Sequence, residues 1–198
     1  MGKKIKKGNY LSAILRSHKT VFSTSDIALI WQEPVDRTAK ERLQYYVRTG
    51  KLIRLRRGIY AKDSAYDRYE LAVHILCPAY VSFESVLGAA GVTFQYSSAI
   101  FIASYTTREI VCDGQTYSFR KIKDTALVNP KGIDQTRHYS IATPERAFLD
   151  TVYKSDAYHF DNLGSLNWDR IRAILPIYES TRMEKRVEMY FRDVKAKG

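Results

Sequence analysis

Residues 35–61 read VDRTAKERLQYYVRTGKLIRLRRGIYA, and the fold of the N-terminal region turns on how this stretch divides. Pro34 and Asp36 open a helical segment, Val35 to Thr49. It is closed by Gly50, a residue suited to the left-handed conformation that ends many helices. At ~100° per residue, Val35, Ala39, Leu43, Tyr46 and Val47 fall on one side, which is the inner one. The opposite side collects Arg37, Thr38, Glu41, Gln44, Tyr45 and Arg48, with Lys40 and Arg42 flanking it. Beyond Gly50, Lys51 to Ala61 holds two β-rich runs joined across Arg56, Arg57 and Gly58, which predicts a short basic hairpin.

Working outward, Leu11, Ile14 and Leu15 recur at the spacing of one helical face and predict a first helix ending in the polar run Arg16 to Lys19. Ser23, Thr24 and Ser25 offer N-caps for a short second helix carrying Ile27 to Trp31. Three helices followed by a basic hairpin predict a winged helix-turn-helix, whose third helix enters the major groove of DNA while the wing grips phosphates or the minor groove. The outer face of helix three has the chemistry for that task. Arg forks onto guanine, Gln pairs with adenine, Thr and Tyr reach phosphate or a thymine methyl, and Lys or Arg hold the backbone. The candidate DNA contacts are Ser25, Arg37, Thr38, Lys40, Glu41, Arg42, Gln44, Tyr45, Arg48, Arg54, Arg56 and Arg57. Trp31 and Tyr60, beside aliphatic neighbours, read as packing residues.

The distribution of charge points the same way. Residues 1–62 hold fifteen Lys and Arg against four Asp and Glu, an excess of eleven that equals the net charge of the whole 198-residue chain, +11. Residues 63–198 are neutral, with seventeen of each sign. Charge confined to one end implies a polyanion meeting that end alone. It also places a domain boundary near Lys62 to Asp67, giving a DNA-binding domain over 1–62 and a second domain over 63–198.

The second region predicts an α+β domain with a small antiparallel sheet and C-terminal helices. A short helix, Leu71 to Leu76, ends before Pro78, followed by a strand at Tyr80 to Phe83 and a helix from Glu84 to Ala90 stopped by Gly91. Strands are predicted at Ala99–Thr106, Glu109–Cys112, Gln115–Lys123 and Ala126–Val128, with an Asp113-Gly114 hairpin turn between the second and third. A strand at His138–Ala142 runs into Thr143-Pro144-Glu145, which supplies an N-cap, a first-turn proline and a first-turn acid for a helix over Pro144–Tyr153. Asn167 caps Trp168–Leu175, and Thr181 caps Arg182–Lys195.

Several function classes find no support. Stretches such as Ile27–Trp31 and Ala99–Ala103 fall far short of the ~20 apolar residues that span a bilayer, so no membrane partner is expected. Basic Met1–Lys7 lacks an apolar segment behind it and reads as a solvated arm or a minor-groove arm. Cys77 and Cys112, the only cysteines, lie outside metal-ligand spacing of each other and of His18, His74, His138 and His159. They read as small buried hydrophobes of a reducing, cytoplasmic protein. No Gly-rich phosphate loop or nucleophilic triad stands out. Glu84, Glu145 and Asp150 read as first-turn or polar-face acids. No catalytic residue, cofactor or metal is expected.

The wing Leu52-Ile53-Arg54-Leu55-Arg56-Arg57-Gly58-Ile59-Tyr60, the run Tyr80-Val81-Ser82-Phe83-Glu84-Ser85-Val86-Leu87, and the run from Ile141 through Thr143-Pro144-Glu145-Arg146 to Asp150 together resemble the AbiEi-type antitoxins of type IV toxin–antitoxin systems. The resemblance spans nearly the whole chain, apart from the lysine-rich arm. It implies an N-terminal winged helix that represses the system's own promoter. The expected partner is duplex DNA of that promoter with repeated half-sites, and the oligomeric state stays open between a monomer and a cooperative assembly on DNA. It also implies a C-terminal domain that helps neutralise a nucleotidyltransferase-like toxin. Two alternatives stay open: a regulator whose second domain senses a ligand or protein without any toxin, and a metal-dependent nucleic-acid-processing enzyme using Glu84, Glu145 or Asp150.

Overall fold

The computed structural model describes residues 9–34 and 36–197. The arm Lys3–Lys7 and Val35, assigned above to the inner face of helix three, lie outside the described residues. The chain is mixed α+β and forms two compact units that divide between Ile75 and Leu76.

The first unit runs α1 (Tyr10–Arg16), β1 (Val21–Ser23), α2 (Thr24–Trp31), α3 (Arg37–Arg48), β2 (Ile53–Arg56), β3 (Ile59–Ala61) and α4 (Arg68–Ile75). Both α2 and α3 have a local cause. Ser23 and Asp26 form a reciprocal capping box at the start of α2, with Asp26 N donating to Ser23 Oγ at 3.1 Å and Ser23 N to Asp26 Oδ2 at 2.8 Å. Asp36 caps α3, its Oδ1 accepting from Ala39 N at 2.8 Å. Gly50 ends α3 at φ +68°, and the bonds Gly50 N to Val47 O (3.1 Å) and Lys51 N to Tyr46 O (2.8 Å) satisfy its last carbonyls.

The inner faces of α1, α2 and α3 meet in one core of Tyr10, Ile14, Phe22, Ile27, Trp31, Ala39, Leu43 and Leu52. Trp31 is fully buried, and its Nε1 donates to Tyr10 O at 3.0 Å. Leu15, predicted on the inner face of α1, is 49% exposed instead.

Two features of this unit were missed in sequence. β1 adds a third strand to the hairpin, giving an antiparallel sheet of order β1-β3-β2. Three residues are too short for a period-2 pattern to register. The unit also extends past Lys62 through α4, predicted as part of the second domain. Glu70 of α4 is buried and accepts from Thr20 N at 2.8 Å and Thr20 Oγ1 at 2.6 Å. The polar run after Lys62 is therefore a loop inside the first unit.

The second unit runs β4 (Ala79–Val81), α5 (Glu84–Leu87), β5 (Ile100–Ser104), β6 (Arg108–Cys112), β7 (Gln115–Lys121), α6 (Asp124–Leu127), β8 (Ile133–Asp134), β9 (Ile141–Ala142), α7 (Pro144–Lys154), α8 (Trp168–Ile174) and α9 (Thr181–Lys197). Its sheet corrects the expected small antiparallel one. Six strands in the order β6-β7-β5-β4-β9-β8 form a mixed sheet in which β5–β7 and β4–β9 pair in parallel. Parallel pairing depends on crossovers between distant strands and leaves no local turn signal. The β6–β7 hairpin does turn at Asp113-Gly114, both at positive φ.

Ala126–Val128, predicted as a strand, belongs instead to α6 and its C-terminal turn: short apolar runs carry no period of their own. Thr143 Oγ1 caps α7, accepting from Arg146 N at 3.3 Å, and Asn167 caps α8. At α9 the bond from Met183 N goes to Ser180 Oγ, one residue before the predicted cap. Along α7, Glu145 to Val152 are all buried, so its charged residues must be paired inside the protein.

Candidate nucleic-acid interface

α3 presents two exposed ridges, each built on a four-residue spacing: Lys40, Gln44 and Arg48 on one, Arg37, Glu41 and Tyr45 on the other. Ala39 and Leu43, 2% and 0% exposed, anchor the helix from behind, so both ridges stand on a fixed platform.

Between the first ridge and the hairpin lies an open concavity of about 720 Å³. Lys40, Gln44 and Arg48 line it from α3, Arg54 and Arg57 from the hairpin, and Thr24 from α2. Four of these are cations and none is an acid. Among the described residues none of the four makes an ion pair, so their charge is available to a ligand. The hairpin tip is tied to the start of α2, where Thr24 N donates to Gly58 O at 3.0 Å.

The nearest acid of α2, Asp26, is already committed to Lys19 Nζ at 2.6 Å and to Ser23. Burial works to raise its carboxyl, but these hydrogen bonds outweigh burial and hold it below the ordinary carboxylate range. Asp26 therefore stays ionised without neutralising the concavity. Its neighbour His74, with Nδ1 3.8 Å from Asp26 Oδ2, is pushed below its ordinary value by burial.

A second hollow, lined by Glu41, Gln44, Tyr45 and Arg48, opens between the first ridge and the outer one of Arg37, Glu41 and Tyr45. There the Arg48 guanidinium lies 5.9 Å and Lys51 Nζ 5.6 Å from the Tyr45 ring centre. Arg37 Nε pairs with Glu41 Oε1 at 2.9 Å, both side chains largely in solvent.

Of the twelve candidate contacts, these two hollows bring together Lys40, Glu41, Gln44, Tyr45, Arg48, Arg54 and Arg57. Arg37 and Thr38 are exposed in the first turn of α3 and line neither. Ser25 faces a separate hollow on α2 with Leu29 and Gln32. Arg56 is half-buried on β2.

Arg42 is turned away from the ridges. Its guanidinium stacks 3.6 Å over the Tyr10 ring and 5.1 Å from that of Trp31, with Nη1 3.8 Å from Glu33 Oε2. One residue before core Leu43, its stem is drawn inward onto the aromatic pair. Thr24 and Tyr60 line the concavity without having been assigned to the site. Thr24 stands 34 positions from Gly58, and no local pattern reports so distant an approach.

The acids considered for catalysis are engaged elsewhere. Glu84 holds Arg120 through bonds of 2.8 and 3.0 Å, and buried Glu145 accepts from Asn167 N at 3.3 Å. Asp150, read above as a polar-face or first-turn acid, is wholly buried. It accepts from Tyr178 OH at 2.5 Å, Ser82 Oγ at 2.7 Å and Tyr80 OH at 3.0 Å, with Arg146 Nε at 3.4 Å. Burial drives its carboxyl upward against the pull of Arg146 and the hydroxyls, and drives the Tyr80 and Tyr178 phenols well above their ordinary value.

Arg146 also donates to Ala126 O (2.6 Å) and Lys131 O (2.9 Å). This is a scaffold that binds α7 to β4, α6 and the loop before β8. Cys112 is buried as expected, whereas Cys77 is exposed. Among the described residues no group of three or more His, Cys, Asp or Glu side chains could hold a metal ion, and no helix is long and apolar enough to cross a membrane. Compared with known proteins, the chain matches no protein-family model and no curated protein.

Proposed function

We propose that the first unit is a winged helix that binds duplex DNA, with α3 in the major groove and the β2–β3 hairpin as the wing. The observation that carries this reading is the acid-free concavity between α3 and the hairpin, where Lys40, Arg48, Arg54 and Arg57 stand without ion-pair partners among the described residues. Four uncompensated cations around one opening suit a phosphate backbone, and the outer ridge of α3 adds the side chains that read base edges.

In this reading the protein is a cytoplasmic, non-enzymatic repressor of its own promoter. The resemblance to AbiEi-type antitoxins supports a second role for the other unit, neutralising a nucleotidyltransferase-like toxin. Binding to the DNA upstream of the protein's own gene should exceed binding to random duplex at every salt concentration of a titration; equal affinities throughout would refute specific repression. Pull-down of the neighbouring gene product by the intact protein tests the antitoxin role, and failure to retain a nucleotidyltransferase-like neighbour argues for a plain regulator.

A further inference from the structure

The four acids of residues 9–62 divide sharply by occupation. Asp26 is held by Lys19 and Ser23, Glu33 accepts from Tyr10 OH at 2.8 Å and faces Arg42, and Asp36 caps α3. Each has a task inside the fold. Among the described residues Glu41 has none: its ion pair is with Arg37 one turn away, the side chains being 61% and 93% exposed, and a pair of that kind adds little to stability. It is also the sole acid of α3, set on the outer ridge next to Gln44, Tyr45 and Arg48.

A carboxylate on a face otherwise built to meet phosphates repels every duplex it approaches, unless a donor on a base edge faces it. Two bases present an exocyclic amino donor in the major groove. Adenine places the N7 acceptor beside its N6 amino group, which opposes a carboxylate. Cytosine presents the N4 amino group with no acceptor on the same edge. Its partner guanine presents O6 and N7, the pair of acceptors that a guanidinium forks onto. A C·G pair thus offers a donor beside two acceptors, matching a carboxylate beside a guanidinium.

We propose that Glu41 and Arg37 form a linked reader for one C·G base pair, in which Glu41 accepts from cytosine N4 and Arg37 turns from Glu41 to guanine O6 and N7. The inference rests on the reading of α3 as the element in the major groove. Glu41 then both selects and excludes: it rewards one base pair and penalises all other duplexes.

The test is selection from a duplex library with a randomised core, using the intact protein, the Glu41→Gln variant and the Arg48→Ala/Arg57→Ala double variant, with circular dichroism confirming that each is folded. The wild-type pool should hold C·G at one position. Glu41→Gln should lose that preference, narrowing a discrimination of about 5- to 150-fold toward unity, while its affinity for unselected duplex rises. The same pool from Glu41→Gln as from wild type overturns the linked reader. So does a wild-type pool that enriches no C·G position. If such a pool comes with salt-dependent binding whose slope the double variant lowers, the DNA-binding reading survives and the reader alone falls. No binding by the wild type to any duplex removes both.

Discussion

Replacing Arg54 and Arg57 together by Ala removes two of the four cations that surround the concavity and leaves Lys40 and Arg48 in place. Each phosphate neutralised by a cation releases counterions and contributes about 0.9 to the slope of log affinity against log salt. Four contacts give a slope of about −3.6, so raising salt fourfold weakens binding about 150-fold. The double variant keeps two contacts and a slope of about −1.8, so the same fourfold step weakens it only about twelvefold. Both arginines are exposed, and neither belongs to the core of Tyr10, Trp31, Leu43 and their neighbours, so the variant should fold as the wild type does.

Fluorescence anisotropy of a labelled random duplex, titrated at four or more salt concentrations, measures both slopes. A double-variant slope within error of wild type would refute the assignment of the concavity to phosphate. A loss of affinity that is constant across salt would show that the arginines act through something other than counterion release.

Three further outcomes follow from the packing. Arg42→Ala removes a guanidinium stacked on Tyr10 and should cost about 0.5–2 kcal/mol in urea unfolding while leaving the salt slope unchanged; a lower slope would return Arg42 to the DNA-contacting set. Asp150→Ala strips Arg146 of its buried counter-charge and should destabilise the second unit by about 3–5 kcal/mol, so loss of any activity in that variant would report unfolding; a change below about 1 kcal/mol would contradict the network.

His74 is held below its ordinary value by burial, so its stabilising contribution is complete above the unfolded value of 6.5 and declines as pH falls through it, because the unfolded chain takes up the proton first. The urea midpoint should fall from about pH 7.5 to about pH 5.5, and less steeply in His74→Gln. Parallel profiles for the two proteins would refute the burial of a neutral His74.

The local grammar of the chain was legible without coordinates. Asp36 and Gly50 delimit α3, Ser23 opens α2, Thr143-Pro144 opens α7 and Asp113-Gly114 turns the β6–β7 hairpin. Caps and tight turns are contacts between residues a few positions apart, so residue type and spacing suffice to specify them. The excess of cations before residue 62 was legible for a simpler reason: it is a count.

What the tertiary structure alone decided lies in contacts between distant positions. β1 joins the hairpin across some forty residues, and α4 reaches back through Glu70 to Thr20. The parallel pairs β5–β7 and β4–β9 have no turn to announce them. Arg42 and Asp150 carry the same lesson. In sequence each is a charge on a helix, available for DNA or catalysis. Tertiary packing lays Arg42 across Tyr10 and seals Asp150 among Tyr80, Ser82, Arg146 and Tyr178. A charge can leave water only when partners from other elements replace its solvation. Those partners are assembled by the fold, which is why the identity of the buried charges belongs to the structure and the capacity to bear them to the sequence.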